Sequence, residues 1–131
     1  MRDAKHYLNL FADTETVGRQ LLGKAICTVT GGDIRDVTRD LPENSSSSEA
    51  ARMVIDAVLD NDPIPASGLR AVLDYMVNSG AIATSSRNRG QTWLSEQVDV
   101  SPQTVRRWVA GDRRLKGASA VAVRSVIREV L

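Results

Sequence analysis

Three side chains in one short stretch, Gln103, Arg106 and Arg107, are of the types that read base-pair edges. An arginine can donate two hydrogen bonds to guanine O6 and N7. A glutamine can pair in the same two-point way with adenine N6 and N7. At about 100° per residue these positions share one helix face, which Ala110 completes. Ser101 and Pro102 stand where such a helix would begin, and helix N-termini offer free N–H groups and a positive dipole end to phosphate. Cations flank the stretch, Arg87 and Arg89 before it and Arg113, Arg114 and Lys116 after it. With Thr104 they are the candidate phosphate contacts, which orient a protein on a duplex without reading its sequence.

Other chemistry is thinner. Phe11-Ala12-Asp13-Thr14-Glu15-Thr16-Val17-Gly18 is similar to the first motif of DnaQ-like 3′–5′ exonucleases, where an Asp-x-Glu holds two divalent metals. That chemistry needs further carboxylates and a base around an attacking water. The single histidine, His6, precedes the motif, whereas the base of that family lies far downstream. The stretch reads as comfortably as a helix start, with Asp13 or Thr14 as cap and Glu15 near the positive dipole end. One cysteine, Cys27, excludes an internal disulfide, and Cys27 with His6 is too few ligands for a Cys/His zinc site. No histidine is near Cys27 in sequence, so it reads as a buried, inert thiol. Gly31-Gly32 lacks phosphate-loop spacing. No metal, cofactor or enzymatic activity is expected.

The elements around the glutamine–arginine face explain how it would be held. A first helix would bury Leu94 and Val98, with the small Ser95 where the second helix crosses. Val100 would plug the turn, and Asp99 before it would take a left-handed backbone. Ser101 is a good N-cap and Pro102 suits the first helical position. Val105 and Trp108 face inward, and Gly111 ends the helix.

Residues 91–115 thus resemble the helix-turn-helix of Cro/CI-type (phage-repressor-like) regulators. The resemblance implies that Ser101, Pro102, Gln103, Arg106 and Arg107 are groove-facing. It also implies that Leu94, Val98, Val100, Val105 and Trp108 form the motif's core. Asp99 is a mild departure from the pattern. The likeness extends over about 65 residues if helices at 67–79 and 117–130 complete the domain. Residues 1–62 carry no such likeness.

Along the rest of the chain, residues 1–11 read as a helix with Tyr7, Leu8, Leu10 and Phe11 apolar. A second helix from Asp13 or Thr14 would carry Val17, Leu21 and Leu22. Residues 24–38 read as a small hairpin turning at Gly31-Gly32, or else the Thr14 helix runs on to about Val29. Ser48 would cap a helix at 49–60 with a stripe of Met53, Val54, Ala57 and Val58. Pro63 and Pro65 break the chain. Leu69, Val72, Leu73, Met76 and Val77 mark a helix at 67–79, with Gly80 as C-cap. Ser85 to Gly90 reads as a polar loop. Trp93 reads as packed on the preceding helix. Ala120, Val123, Ile127 and Val130 form one face of the last helix, for core packing or a dimer contact. No internal repeat is visible.

The 131 residues suffice for a sizeable core, since a chain of this length buries roughly two-thirds of its unfolded surface. No apolar run approaches the roughly 18 residues of a membrane span, and no signal-peptide core follows the N-terminus. A reduced, cytoplasmic protein is expected. Residues 1–80 hold 8 Lys/Arg and 12 Asp/Glu, and residues 81–131 hold 9 and 4. The back half is therefore the better partner for a polyanion.

The expectation is a mainly α protein: a C-terminal helix-turn-helix bundle at 63–131 and a small N-terminal helical module at 1–62, with room for a short β-hairpin. The expected activity is sequence-specific binding of double-stranded DNA by a homodimeric repressor. Residues 1–62 would serve dimerisation, a protein partner or an effector. The alternative is a phage or mobile-element interaction protein, of the anti-CRISPR or antitoxin kind, that binds a host protein. A metal-dependent nuclease through Asp13 and Glu15 is the remote third.

Overall fold

The computed structural model describes residues 3–82 and 89–131. Among them the protein is mainly α-helical, with one two-stranded antiparallel sheet. The chain divides into two compact units, residues 1–60 and 61–131. The division falls after Asp60; the expected boundary stood after Asp62.

In the first unit Asp3 starts α1 (Ala4–Ala12), its carboxylate accepting from the His6 N–H at 3.1 Å. Tyr7, Leu8 and Phe11 are buried along one side, while Leu10 faces outward. Asp13 is not the cap of a following helix. It ends α1, its N–H donating to Leu10 O and Phe11 O. The chain then extends as β1 (Thr16–Gly18), which removes Val17 from the helix expected there. Gly18 precedes α2 (Arg19–Thr30).

The expected hairpin at 24–38 is absent. Residues 24–30 continue α2, in line with the alternative that ran a helix to about Val29. Gly31, at φ 74°, closes the helix with its N–H on Cys27 O. The Gly-Gly signal thus marks a helix end, for which a left-handed glycine is well suited. Asp33 accepts from the Arg35 N–H at 2.8 Å and starts α3 (Ile34–Arg39) where alternation predicted a strand. A local cap outweighs β-prone residues over so short a run.

The second strand is β2 (Asn44–Ser46), and α4 (Ser47–Leu59) follows it. Ser46, not Ser48, is the N-cap; its hydroxyl accepts from the Glu49 N–H at 3.2 Å. Strands β1 and β2 pair with Val17 opposite Ser45. The element order is thus helix–strand–helix twice over, a repeat that the residues do not display. The first N–H of α2 (Arg19) donates to Glu43 O at 3.0 Å, and that of α4 (Ser47) to Glu15 O at 3.1 Å. Helix starts leave such donors unpaired, and here each finds a carbonyl next to the opposite strand.

Helix α4 buries Ala50, Ala51, Val54, Ile55, Val58 and Leu59 against α1 and α2. Full burial of each larger side chain contributes about 1.5–3 kcal/mol. Met53 and Ala57, expected on this face, are half-buried. Helix α3 buries no residue and packs on α2. Gly23 permits that approach, since a Cβ there would run into the Thr38 methyl.

The second unit begins at Asn61. Helix α5 (Ala66–Asn78) buries Leu69, Val72, Leu73 and Met76 as its spacing predicts, with Val77 half-buried. Ser79 is its C-cap and Gly80, at φ 82°, the left-handed residue beyond. Then come α6 (Arg89–Gln97), α7 (Pro102–Ala110) and α8 (Gly117–Val130). Helix α5 packs on both α6 and α7, and α6 also meets α8. Ala120, Val123 and Ile127 of α8 are buried, whereas Val130, expected on the same face, is exposed at the helix end. The start of α6 at Arg89 also corrects the loop expected through Gly90. Gly90 is helical and buried, where a Cβ would come within 2.9 Å of Leu73 Cβ.

Candidate nucleic-acid interface

The turn between α6 and α7 is built as the residue types require. Leu94 is fully buried and Ser95 nearly so, its hydroxyl donating to Thr92 O at 2.7 Å. A small residue with its polar atom satisfied inside its own helix lets α7 cross closely without leaving a buried group unpaired. The Val98 N–H donates to Leu94 O and the Val100 N–H to Ser95 O. Between them Asp99 takes φ 56°, the one left-handed non-glycine among the described residues. Aspartate tolerates that conformation better than most side chains. Val98 and Val100, read as core, are half-buried under the turn.

Ser101 caps α7. Its hydroxyl accepts from the Thr104 N–H at 3.2 Å, and its Oγ lies 2.9 Å from Thr104 Oγ1. Pro102 follows at the first turn. Val105 and Trp108 are buried and fix the helix from behind. Gly111 ends it at φ 83°, its N–H donating to Arg107 O and Trp108 O.

What α7 turns outward is Ser101, Pro102, Gln103, Arg106, Arg107 and Ala110, all exposed. Thr104, expected among the phosphate contacts, is half-buried, with its hydroxyl close to Ser101. The loop after α7 carries Arg113, Arg114 and Lys116, all exposed, around the buried Leu115. No hydrogen bond or ion pair among the described residues engages the side chains of Arg106, Arg107, Arg113, Arg114 or Lys116. These cations are therefore available to an anionic ligand without first breaking an internal pair. Residues 61–131 hold ten Lys/Arg and six Asp/Glu, a balance of +4. Arg87 and the side chain of Arg89 lie outside the described residues.

Asp13 and Glu15 are exposed at the end of α1 and before β1. Among the described residues no three His, Cys, Asp or Glu side chains come together to hold a metal ion. Cys27 is half-buried, and burial, with Asp33 nearby, raises its pKa. Trp93 is half-buried. No helix is long and apolar enough to cross a membrane among the described residues.

Residues that the spacing argument missed are Gly90, Leu115 and Ile64. Ile64 and Leu115 form an isolated antiparallel bridge, the Ile64 N–H donating to Leu115 O at 2.9 Å. An apolar residue among three cations is the one signal in the residue types that could have marked Leu115 as an anchor. Comparison with protein-family models, with curated proteins and with solved structures finds no match to this chain.

Proposed function

We propose that this chain is a sequence-specific double-stranded DNA-binding regulator of transcription. Helix α7 enters the major groove, Gln103, Arg106 and Arg107 read base edges, and Arg113, Arg114 and Lys116 contact phosphate. The observation that carries this reading is a short helix held rigidly from behind by Val105 and Trp108, with those three side chains exposed in front. A base-reading side chain discriminates only when its backbone is fixed, and a good two-point contact is worth about 1–3 kcal/mol. The chain acts as a homodimer on half-sites about 34–36 Å apart. It represses by occluding its site. Residues 1–60, with a core of their own, supply dimerisation or a protein partner's surface.

The test is selection of bound duplexes from a random pool at about 150 mM salt, with an Arg106→Ala/Arg107→Ala variant alongside. Enrichment of a palindromic site, lost in the variant, is the expected result. Weak, salt-sensitive binding without enrichment overturns the reading and moves the search to a protein partner of residues 1–60.

A further inference from the structure

The second unit opens with a short segment, residues 61–64, that two hydrogen bonds tie across the bundle. The Arg124 guanidinium, on α8, donates from Nη2 to Asn61 O at 2.9 Å. Three residues on, the Ile64 N–H donates to Leu115 O at 2.9 Å. Ile64 and Leu115 are both buried, so their bond is shielded from water. A backbone bond shielded from water is costly to leave unpaired, which makes this junction a firm one.

Leu115 is flanked by Arg113, Arg114 and Lys116, which the proposed function assigns to phosphate. The loop holding them, from Gly111 to Lys116, has no regular structure apart from this bridge. Its order rests on the helix-end bonds of Asp112 and Arg113 to Arg107 O, on the buried Leu115 side chain and on the bond to Ile64. We infer that residues 61–64 act as a clasp that sets the positions of Arg113, Arg114 and Lys116, and that Arg124 is the positioning residue that holds it shut. Long cationic side chains lose much of their phosphate affinity when their backbone is loose, because ordering them then has to be met at binding. The clasp directly follows Asp60, the last residue of the first unit. The functional half of the clasp rests on the DNA-binding reading, and its structural half on the two bonds alone.

The experiment uses the full chain as wild type, Arg124→Met and Arg124→Lys. Amide exchange of Ile64 reads the clasp, with the Trp108 amide as the internal control for global opening. Binding to a mixed-sequence duplex over a salt series reads the loop. In Arg124→Met, Ile64 exchange should rise at least about tenfold relative to Trp108. The log–log salt slope should become shallower by about 0.9 for each phosphate that the loop no longer neutralises. Preference between duplexes should persist, and Arg124→Lys, which can still donate to Asn61 O, should restore part of both. Unchanged Ile64 exchange overturns the clasp. Faster Ile64 exchange with an unchanged slope overturns its positioning role, as does a mere loss of active protein. If the wild type binds no duplex, the DNA-binding reading fails, and Ile64 exchange alone decides the clasp.

Discussion

The Ser101 hydroxyl accepts from the Thr104 N–H at 3.2 Å and lies 2.9 Å from the Thr104 hydroxyl. One small side chain thus satisfies an orphan donor at the start of α7 and also engages the neighbouring hydroxyl. Ser101→Ala should cost about 0.5–2 kcal/mol, the usual loss for a helix cap. Urea unfolding measures it. Thr104→Val should keep the backbone bond and cost less. Equal losses from the two variants would mean that the hydroxyl pair, not the cap, holds the helix start.

Base-reading and phosphate-contacting side chains predict different failures. Gln103→Ala or Arg106→Ala should relax preference at particular base pairs, by about 1–3 kcal/mol each. Arg113→Ala or Lys116→Ala should weaken binding to every duplex and flatten the salt dependence by about one unit of slope. Competition binding against single-base variants of the selected site separates the two. Identical behaviour of all four would show that the assignment of the exposed face of α7 is wrong.

Gly90→Ala sets two effects against each other. Alanine favours a helix by about 1 kcal/mol over glycine. A Cβ at Gly90, however, would sit 2.9 Å from Leu73 Cβ and 3.1 Å from Leu73 Cδ2. Leu73 Cβ moves only with its backbone, so overpacking, at about 1–3 kcal/mol, should win. The variant should melt below the wild type; an unchanged or higher midpoint would show that α5 and α6 can part freely.

Ser45 presents the opposite case. Its hydroxyl is buried opposite Val17 and has no hydrogen-bond partner among the described residues. An unmet buried hydroxyl costs about 1–3 kcal/mol. Ser45→Ala should therefore stabilise the first unit by about 1 kcal/mol in urea unfolding. Destabilisation would mean that the hydroxyl is satisfied in solution.

Burial, with Asp33 beside it, pushes the Cys27 thiol up from its ordinary pKa. The folded chain therefore holds that proton more tightly than the unfolded chain does. The resulting stability is present below the unfolded pKa and falls away as pH rises through the alkaline range. Iodoacetamide at pH 8 should modify Cys27 more slowly in the folded chain than in urea. Equal rates would show an unshielded thiolate.

The second unit was largely legible because its signals are strong and local. Leu69 through Met76 repeat at helical spacing over about two turns, and Ser101, Pro102 and Gly111 mark both ends of α7. Its exposed face followed from the buried positions of Val105 and Trp108. The first unit was not, because its strands are three residues long and lie 26 residues apart in sequence. Neither Thr16–Gly18 nor Asn44–Ser46 has an apolar alternation to announce it. The Cys27 neighbourhood is β-prone by composition, yet it is helical because α2 must pack along α4. Propensity yielded there to tertiary contact. The Ile64–Leu115 bridge was invisible for a similar reason: single backbone pairings between distant residues leave almost no trace in residue types.

The carbonyls of Glu43 and Glu15 that receive the Arg19 and Ser47 amides give the first unit an interlocked build. Each half begins its second helix on an acceptor that only the other half provides. Neither residues 3–31 nor residues 32–60 hold the means to start α2 or α4 in this way alone. A nick at Gly31-Gly32 should accordingly produce two pieces that are mostly uncoiled apart and regain helix when mixed. Reassociation of this kind would make that exposed glycine pair a place where the chain tolerates a break, although it lies midway through one compact unit.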